Sequence, residues 1–137
     1  MVKQFWLNLP VKDLSKSKEF FNKIGFKFST GPGSTETSAP LLMGEHNVVV
    51  MLFEEPMFKG FVNTDVADTS KGSEVLLSID VNSKEEVDEL VSKAVAAGGK
   101  STHKPSEMQG WMYGSVFTDL DGHKWNVLYM DHSKMAR

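Results

Sequence analysis

A chain of 137 residues, 40% hydrophobic and 24% charged, suits one soluble domain with an ordinary core. Its formal net charge of −3, with lysines interspersed among acids, argues against nucleic-acid or anionic-membrane partners, which require concentrated Lys and Arg. The absence of cysteine excludes disulfides, thiolate metal sites and cysteine nucleophiles.

The first element is Phe5 to Val11, where Leu7, Leu9 and Val11 alternate with Trp6, Asn8 and Pro10, as in a strand with two different faces. Asp13 then caps a helix whose apolar stripe is Leu14, Ser17, Phe20, Phe21 and Ile24, and Gly25 stops it. A strand beginning at Phe26 follows. After Gly31-Pro32-Gly33 come an apolar segment from Ala39 to Met43, a turn at Gly44-Glu45 and a strand from Val48 to Phe53. That last run is the longest apolar one and is too short to cross a bilayer. Met1 to Gln4 lacks the apolar stretch of a signal peptide, so the cytoplasm is the expected location. Lys59 to Gly72 reads as a polar connector with an aromatic edge at Phe58 and Phe61.

The same grammar then returns. Val75, Leu77, Ile79 and Val81 alternate with Leu76, Ser78 and Asp80. Ser83 is a cap with Glu86 completing a capping-box pattern, Val87, Leu90, Val91, Ala94 and Val95 form the stripe, and Gly98-Gly99 ends the helix. A strand near Lys100 to His103, a loop from Pro105 to Gly110, a strand from Met112 to Phe117, a turn at Asp121-Gly122 and a strand from Lys124 to Met130 complete the chain before a polar tail. Two matching units point to duplication. The expected fold is α+β, a single domain of two tandem βαβββ modules around a cleft. Module one covers about 1–58, the connector about 59–72 and module two about 73–137.

Leu9-Pro10-Val11-Lys12-Asp13-Leu14, Ser17-Lys18-Glu19-Phe20-Phe21, Ile24-Gly25-Phe26, Ala97-Gly98-Gly99 and Asp119-Leu120-Asp121-Gly122, in this order, resemble the vicinal oxygen chelate superfamily of glyoxalase I, bleomycin-resistance proteins and extradiol dioxygenases. The resemblance implies a curved mixed sheet enclosing the cleft. It also implies four places where metal-binding members carry ligands, on the first and last strand of each half. Here those places fall on Trp6, on Leu76, within Val48 to Leu52, and on Asn126, where relatives have a glutamate. A catalytic transition-metal site needs about three imidazole or carboxylate ligands, and none of these residues is a strong one. The expectation is therefore no metal and no cofactor.

Elsewhere, His46 and His123 occupy turns and His132 the tail, and no His-x-His or His-x-x-x-His spacing exists. Glu74 and His103 are the weak candidates for a catalytic base. Glu74 reads either as a carboxylate at the cleft mouth or as an exposed acid at a strand entrance. Asn126 reads either as a ligand-binding amide or as one satisfied by backbone. The ligand-binding set is Trp6, Asn8, Met51, Glu74, Ser78, Trp111, Tyr113 and Asn126, an apolar and aromatic cup with a few polar groups. Trp6 offers a stacking face, or else fills core; stacking would favour a planar or cationic ligand, with Glu74 opposite its charge. The segments Phe53 to Phe61 and Pro105 to Trp111 are lids or dimer contacts.

A metal-free homodimer that sequesters a small organic ligand, like bleomycin-resistance proteins, is the expected function. The alternatives are a metal-dependent lyase or ring-cleaving dioxygenase, or an acid/base enzyme using Glu74.

Overall fold

The computed structural model describes residues 1–134; the rest of the polar tail lies outside them. The chain divides into two compact units, Met1–Asp68 and Thr69–Arg137, and the division falls inside the expected connector.

In the first unit the elements are β1 (Leu7–Val11), α1 (Leu14–Lys23), β2 (Lys27–Phe28), β3 (Ser38–Met43), β4 (Val48–Glu54) and α2 (Glu55–Val62). The sheet order is β1-β4-β3-β2, with β1 and β4 parallel and the other pairs antiparallel. In the second unit β5 (Leu76–Asp80), α3 (Lys84–Ala96), β6 (Ser106–Met108), β7 (Met112–Thr118) and β8 (Lys124–Met130) repeat that arrangement in the order β5-β8-β7-β6. A short 3₁₀ turn, His132–Lys134, follows. Among the described residues no helix is long and apolar enough to cross a membrane.

The duplication extends to the helix ends. Asp13 accepts a hydrogen bond from the Lys16 N–H at 3.2 Å, and Ser83 Oγ accepts one from the Glu86 N–H at 3.1 Å. Each cap satisfies a helical donor that would otherwise be orphaned. Glu86 Oε2 reaches back to the Asn82 N–H, one residue before the cap, at 2.8 Å. Both helices finish in the same glycine motif. Phe26 N–H donates to Phe21 O and Gly25 N–H to Asn22 O; Gly99 N–H donates to Ala94 O and Gly98 N–H to Val95 O. The residue next to the cap must be left-handed, which Gly25 (φ 94°) and Gly98 (φ 111°) permit.

One face of each sheet carries the core. Leu9, Val11, Val50, Leu52, Ala39 and Leu41 are buried with Leu14, Phe20, Phe21 and Ile24 in the first unit. Leu77, Trp125, Phe117 and Val127 are buried with Val87, Val91 and Ala94 in the second. The expected helical stripes hold except at Val95, which is 48% exposed although the preceding Ala94 is fully buried.

Two local expectations fail. Residues 55–62 form α2 instead of a loop, because Pro56 suits the first helical turn and Asn63 closes the helix in a left-handed cap (φ 57°). The second strand of the second unit is Ser106–Met108, inside the expected loop, while Lys100 makes only an isolated bridge to Thr118. The β6–β7 hairpin turns at Gln109 (φ 57°) and Gly110 (φ 76°). Two successive positive φ values match a hairpin's twist, but glutamine seldom adopts one, so the turn leaves little trace in the sequence.

Candidate functional site

Each sheet has a second face, turned away from its buried core. In the second unit it is read across the strands in rungs. Leu76, Lys124 and Thr118 form one rung, and Ser78, Asn126 and Val116 the next. Beyond them lie Asp80, Leu128 and Gly114, and then Met130, Met112 and Met108. Leu76 is 55% exposed. Asn126 Nδ2 donates to Ser78 Oγ at 3.1 Å across the β5–β8 pair, so the amide is satisfied by a neighbouring side chain rather than by backbone.

The first unit supplies the counterpart. Leu7 pairs with Val50 as Leu77 pairs with Trp125, and Asn8 pairs with Met51 as Ser78 pairs with Asn126. Met51 is thus the first-half equivalent of Asn126, a register the sequence leaves open. Its rungs are Asn8, Met51 and Pro40, and ahead of them Val49 and Leu42. Trp6 directly precedes β1 and is 51% exposed, so it is not core. Gly33 approaches this face; a Cβ there would lie 3.4 Å from Met51 Cε.

The expected binding residues therefore separate. Trp6, Asn8 and Met51 belong to the first unit's outer face, and Ser78 and Asn126 to the second's. Glu74 is exposed in a bend before β5. His103 is exposed in a loop, its Nδ1 2.9 Å from Thr102 Oγ1, while its carbonyl accepts from Ser101 and Ser115. Trp111 and Tyr113 are not on the outer face. Alternation along β7 turns Tyr113 toward α3, where its hydroxyl donates to Asp88 Oδ1 at 2.6 Å. Trp111 shares its parity and lines a shallow hollow with Lys84, Glu107, Tyr129 and Lys134. The Lys84 ammonium pairs with Glu107 and sits 5.7 Å from the Tyr113 ring centroid.

The bond to Asp88, foremost, pushes the Tyr113 phenol up to about 12 from its ordinary 10.0. A neutral acid whose pKa rises on folding stabilises the fold below its unfolded pKa, and that contribution is lost as pH climbs from 10 through 12. Tyr113→Phe is expected to remove this alkaline loss, read as a flatter dependence of urea midpoint on pH above 10. If the variant keeps the wild-type slope, the bond to Asp88 carries no linkage.

Sequence reasoning also misses Asp119. Its carboxylate, 6% exposed, accepts from Trp125 Nε1 at 3.0 Å, Asp121 N–H at 2.9 Å and His123 N–H at 3.0 Å. Burial pushes it above the usual 3.8, against the opposing pull of His123 and the Trp125 N–H. This clasp holds the start of β8, and so the backbone from which Lys124 and Asn126 project. A carboxylate six residues before a tryptophan, across a glycine turn, is the signal that would have found it.

The outer face also depends on Gly114. A Cβ there would stand 2.6 Å from Leu128 Cδ2 and 2.8 Å from the Val127 carbonyl oxygen. Gly114→Ala is expected to cost about 1–3 kcal/mol by overpacking, measured by urea unfolding. An unchanged midpoint would show that β7 and β8 separate without strain.

The chemistry of the donors limits what the site can hold. Among the described residues, no three His, Asp or Glu side chains come together as a metal site. The four positions singled out by resemblance are an indole, a thioether, an aliphatic chain and an amide already bonded to Ser78. They do not fit a hard or borderline divalent ion.

Residues 3–127 match the Glyoxalase family model, described as the glyoxalase/bleomycin resistance protein/dioxygenase superfamily. No curated protein matches the sequence. Among solved structures, a hypothetical protein from S. aureus is 36% identical, with 94% of this chain and 95% of that one covered and a TM-score of 0.83. A glyoxalase/bleomycin resistance protein/dioxygenase family enzyme from Burkholderia phytofirmans is 20% identical over 91% and 96% of the chains, at a TM-score of 0.77. The fosfomycin resistance protein FosX from Listeria monocytogenes, complexed with Mn(II) and sulfate, is 17% identical over 97% and 94%, at 0.68. The two more distant structures share the fold.

Proposed function

Since the chain belongs to the glyoxalase/bleomycin resistance protein/dioxygenase superfamily, we propose that it binds a small organic molecule on its outer sheet faces without a metal ion or cofactor. One observation carries the reading: Asn126 is tied to Ser78, and its first-half counterpart is Met51. Neither is a ligand for the ions this superfamily uses. The manganese-bound Listeria structure resembles this chain in fold, but Mn(II) favours carboxylate, carbonyl and water oxygens, and Trp6, Leu76, Met51 and Asn126 include no carboxylate. Each unit offers apolar contact of its own: the exposed indole of Trp6 in the first, and the adaptable methionines Met108, Met112 and Met130 in the second. Sequestration requires no more than this.

The working form is a cytoplasmic homodimer with no nucleic-acid or membrane partner. What supports a dimer is the exposure of the neighbouring Phe61 and Val62 at the end of α2 (65% and 44%) and of Phe5 ahead of β1 (80%), since exposed large apolar side chains often meet a partner.

Metal analysis of the purified protein tests the central point. Substoichiometric Mn, Fe, Ni and Zn, and no rise in melting temperature on adding these ions, are expected. Aromatic compounds are expected to raise it in a screen, because a ligand of the native state stabilises by mass action. A stoichiometric transition metal would overturn the reading.

A further inference from the structure

Resting on that binding reading, we infer that the ligand carries an anionic oxygen group, a carboxylate or its like, held on the second unit by Lys124, Ser78, Asn126 and Thr118. These four lie on two adjacent rungs of one face: Lys124 beside Thr118, and Ser78 beside Asn126. Strand spacing across β5, β8 and β7 places them within a patch of roughly 10 by 7 Å, with Lys124 and Asn126 at its centre on β8 and Ser78 and Thr118 on either side. Each side chain can donate a hydrogen bond. With Asn126 Nδ2 donating to Ser78 Oγ, the serine proton and the second amide hydrogen remain for a ligand acceptor.

Lys124 decides the sign. Its ammonium donates to the Gly122 carbonyl at 3.3 Å and enters no ion pair among the described residues. Lys23, Lys59, Lys84, Lys93 and Lys134, by contrast, each have an acidic partner: Glu19, Asp65, Glu107, Glu89 and Asp131. Asp80 shares this face of the edge strand β5, one rung beyond Ser78, and Glu74 precedes that strand. They flank the donor patch without entering it.

The duplication shows that these donors are not demanded by the scaffold. At the equivalent positions the first unit has Val49 for Lys124, Leu42 for Thr118 and Met51 for Asn126, on the same strand order and pairing. One scaffold thus tolerates apolar side chains where the second unit places a cation and an amide. Lys124 is half-buried on this face, and a charge-assisted bond from its ammonium to a ligand oxygen is stronger than a neutral one. Beyond the patch, Val116, Leu128 and the three methionines supply an apolar bed for the rest of the molecule. This reverses the polarity expected from Trp6 and Glu74: an organic acid, not an organic cation.

The test uses naphthoate, naphthamide and naphthylmethylamine as probes of one shape and three charges, titrated calorimetrically into the full-length protein. Naphthoate is expected to bind about tenfold tighter than the amide, the worth of one charge-assisted hydrogen bond, and to weaken as salt is added. Lys124→Met should abolish that preference and Lys124→Arg should retain it, with both variants melting as wild type. Equal binding of naphthoate and naphthamide, tighter binding of the amine, an unaltered preference in Lys124→Met, or no binding of naphthoate would each overturn the inference. Binding of the amide or amine alone would do so while leaving metal-free ligand binding intact; a stoichiometric metal in the same preparation would instead remove the reading beneath it.

Discussion

Trp125→Ala is expected to destabilise the protein by about 4 kcal/mol, the largest loss from any single truncation in the second unit. The indole is fully buried and stacks on Phe117 with ring centroids 6.2 Å apart and planes 5° from parallel. It also donates to a buried carboxylate. Truncation leaves a cavity among β5, β7 and β8 and strips Asp119 of a charge-compensating donor. Both effects have one sign. Trp125→Phe isolates them: a ring remains to fill most of the space, but the N–H is gone, so about 1–3 kcal/mol should be lost. Urea midpoints by circular dichroism measure both. If Trp125→Ala falls below Trp125→Phe by less than about 1 kcal/mol, cavity formation is not the main cost.

That residue marks the boundary between what the sequence discloses and what it conceals. Alternation in Lys124 to Met130 reveals β8 with its observed ends, because a strand buried on one face writes its period directly into the chain. The two caps, the two glycine stops and the helical stripes are legible for the same reason: each is a local rule acting on adjacent residues. Pairing register is not local. Nothing in Val48 to Glu54 says that Met51 stands beside Asn8, since every residue of the run except the last is apolar. The facing of Trp111 and Tyr113 is lost likewise. Their aromatic character suits either side of β7, and only the position of Asp88 on α3 shows which side Tyr113 takes. The α2 helix is hidden because Gly60 weakens its propensity and none of its residues is buried, so no core-facing stripe declares it. In the candidate site, the residue types were visible and their grouping was not. Lys124 carries no signal of its own in the sequence, because a lysine beside a turn ordinarily faces solvent, whereas the strand phase set by Trp125 puts it on the outer face.

Asp119→Ala is the second large effect, expected at about 3 kcal/mol. Three donors converge on this carboxylate. The Trp125 N–H, enclosed in the core, has no route to water once the acceptor is removed, and an orphaned buried donor costs about 1–3 kcal/mol. The Asp121 and His123 N–H groups lie in the turn, where water replaces the carboxylate in part. Asp119→Asn should cost less, since its carbonyl oxygen still accepts from one donor while its amide opposes another. The pH profile adds a sign. Because burial raises the folded pKa above 3.8, the native state binds this proton more tightly than the unfolded chain. The contribution is therefore present in full below 3.8 and is lost as pH rises through the folded value. Asp119→Ala should remove that downward limb along with the hydrogen bonds. Coupling with Trp125→Phe closes the argument: if the indole N–H and the carboxylate act as one contact, the double variant Asp119→Ala/Trp125→Phe should fall short of the summed single losses by about 1 kcal/mol or more. Strict additivity would mean that the turn donors, and not the tryptophan, are what Asp119 holds.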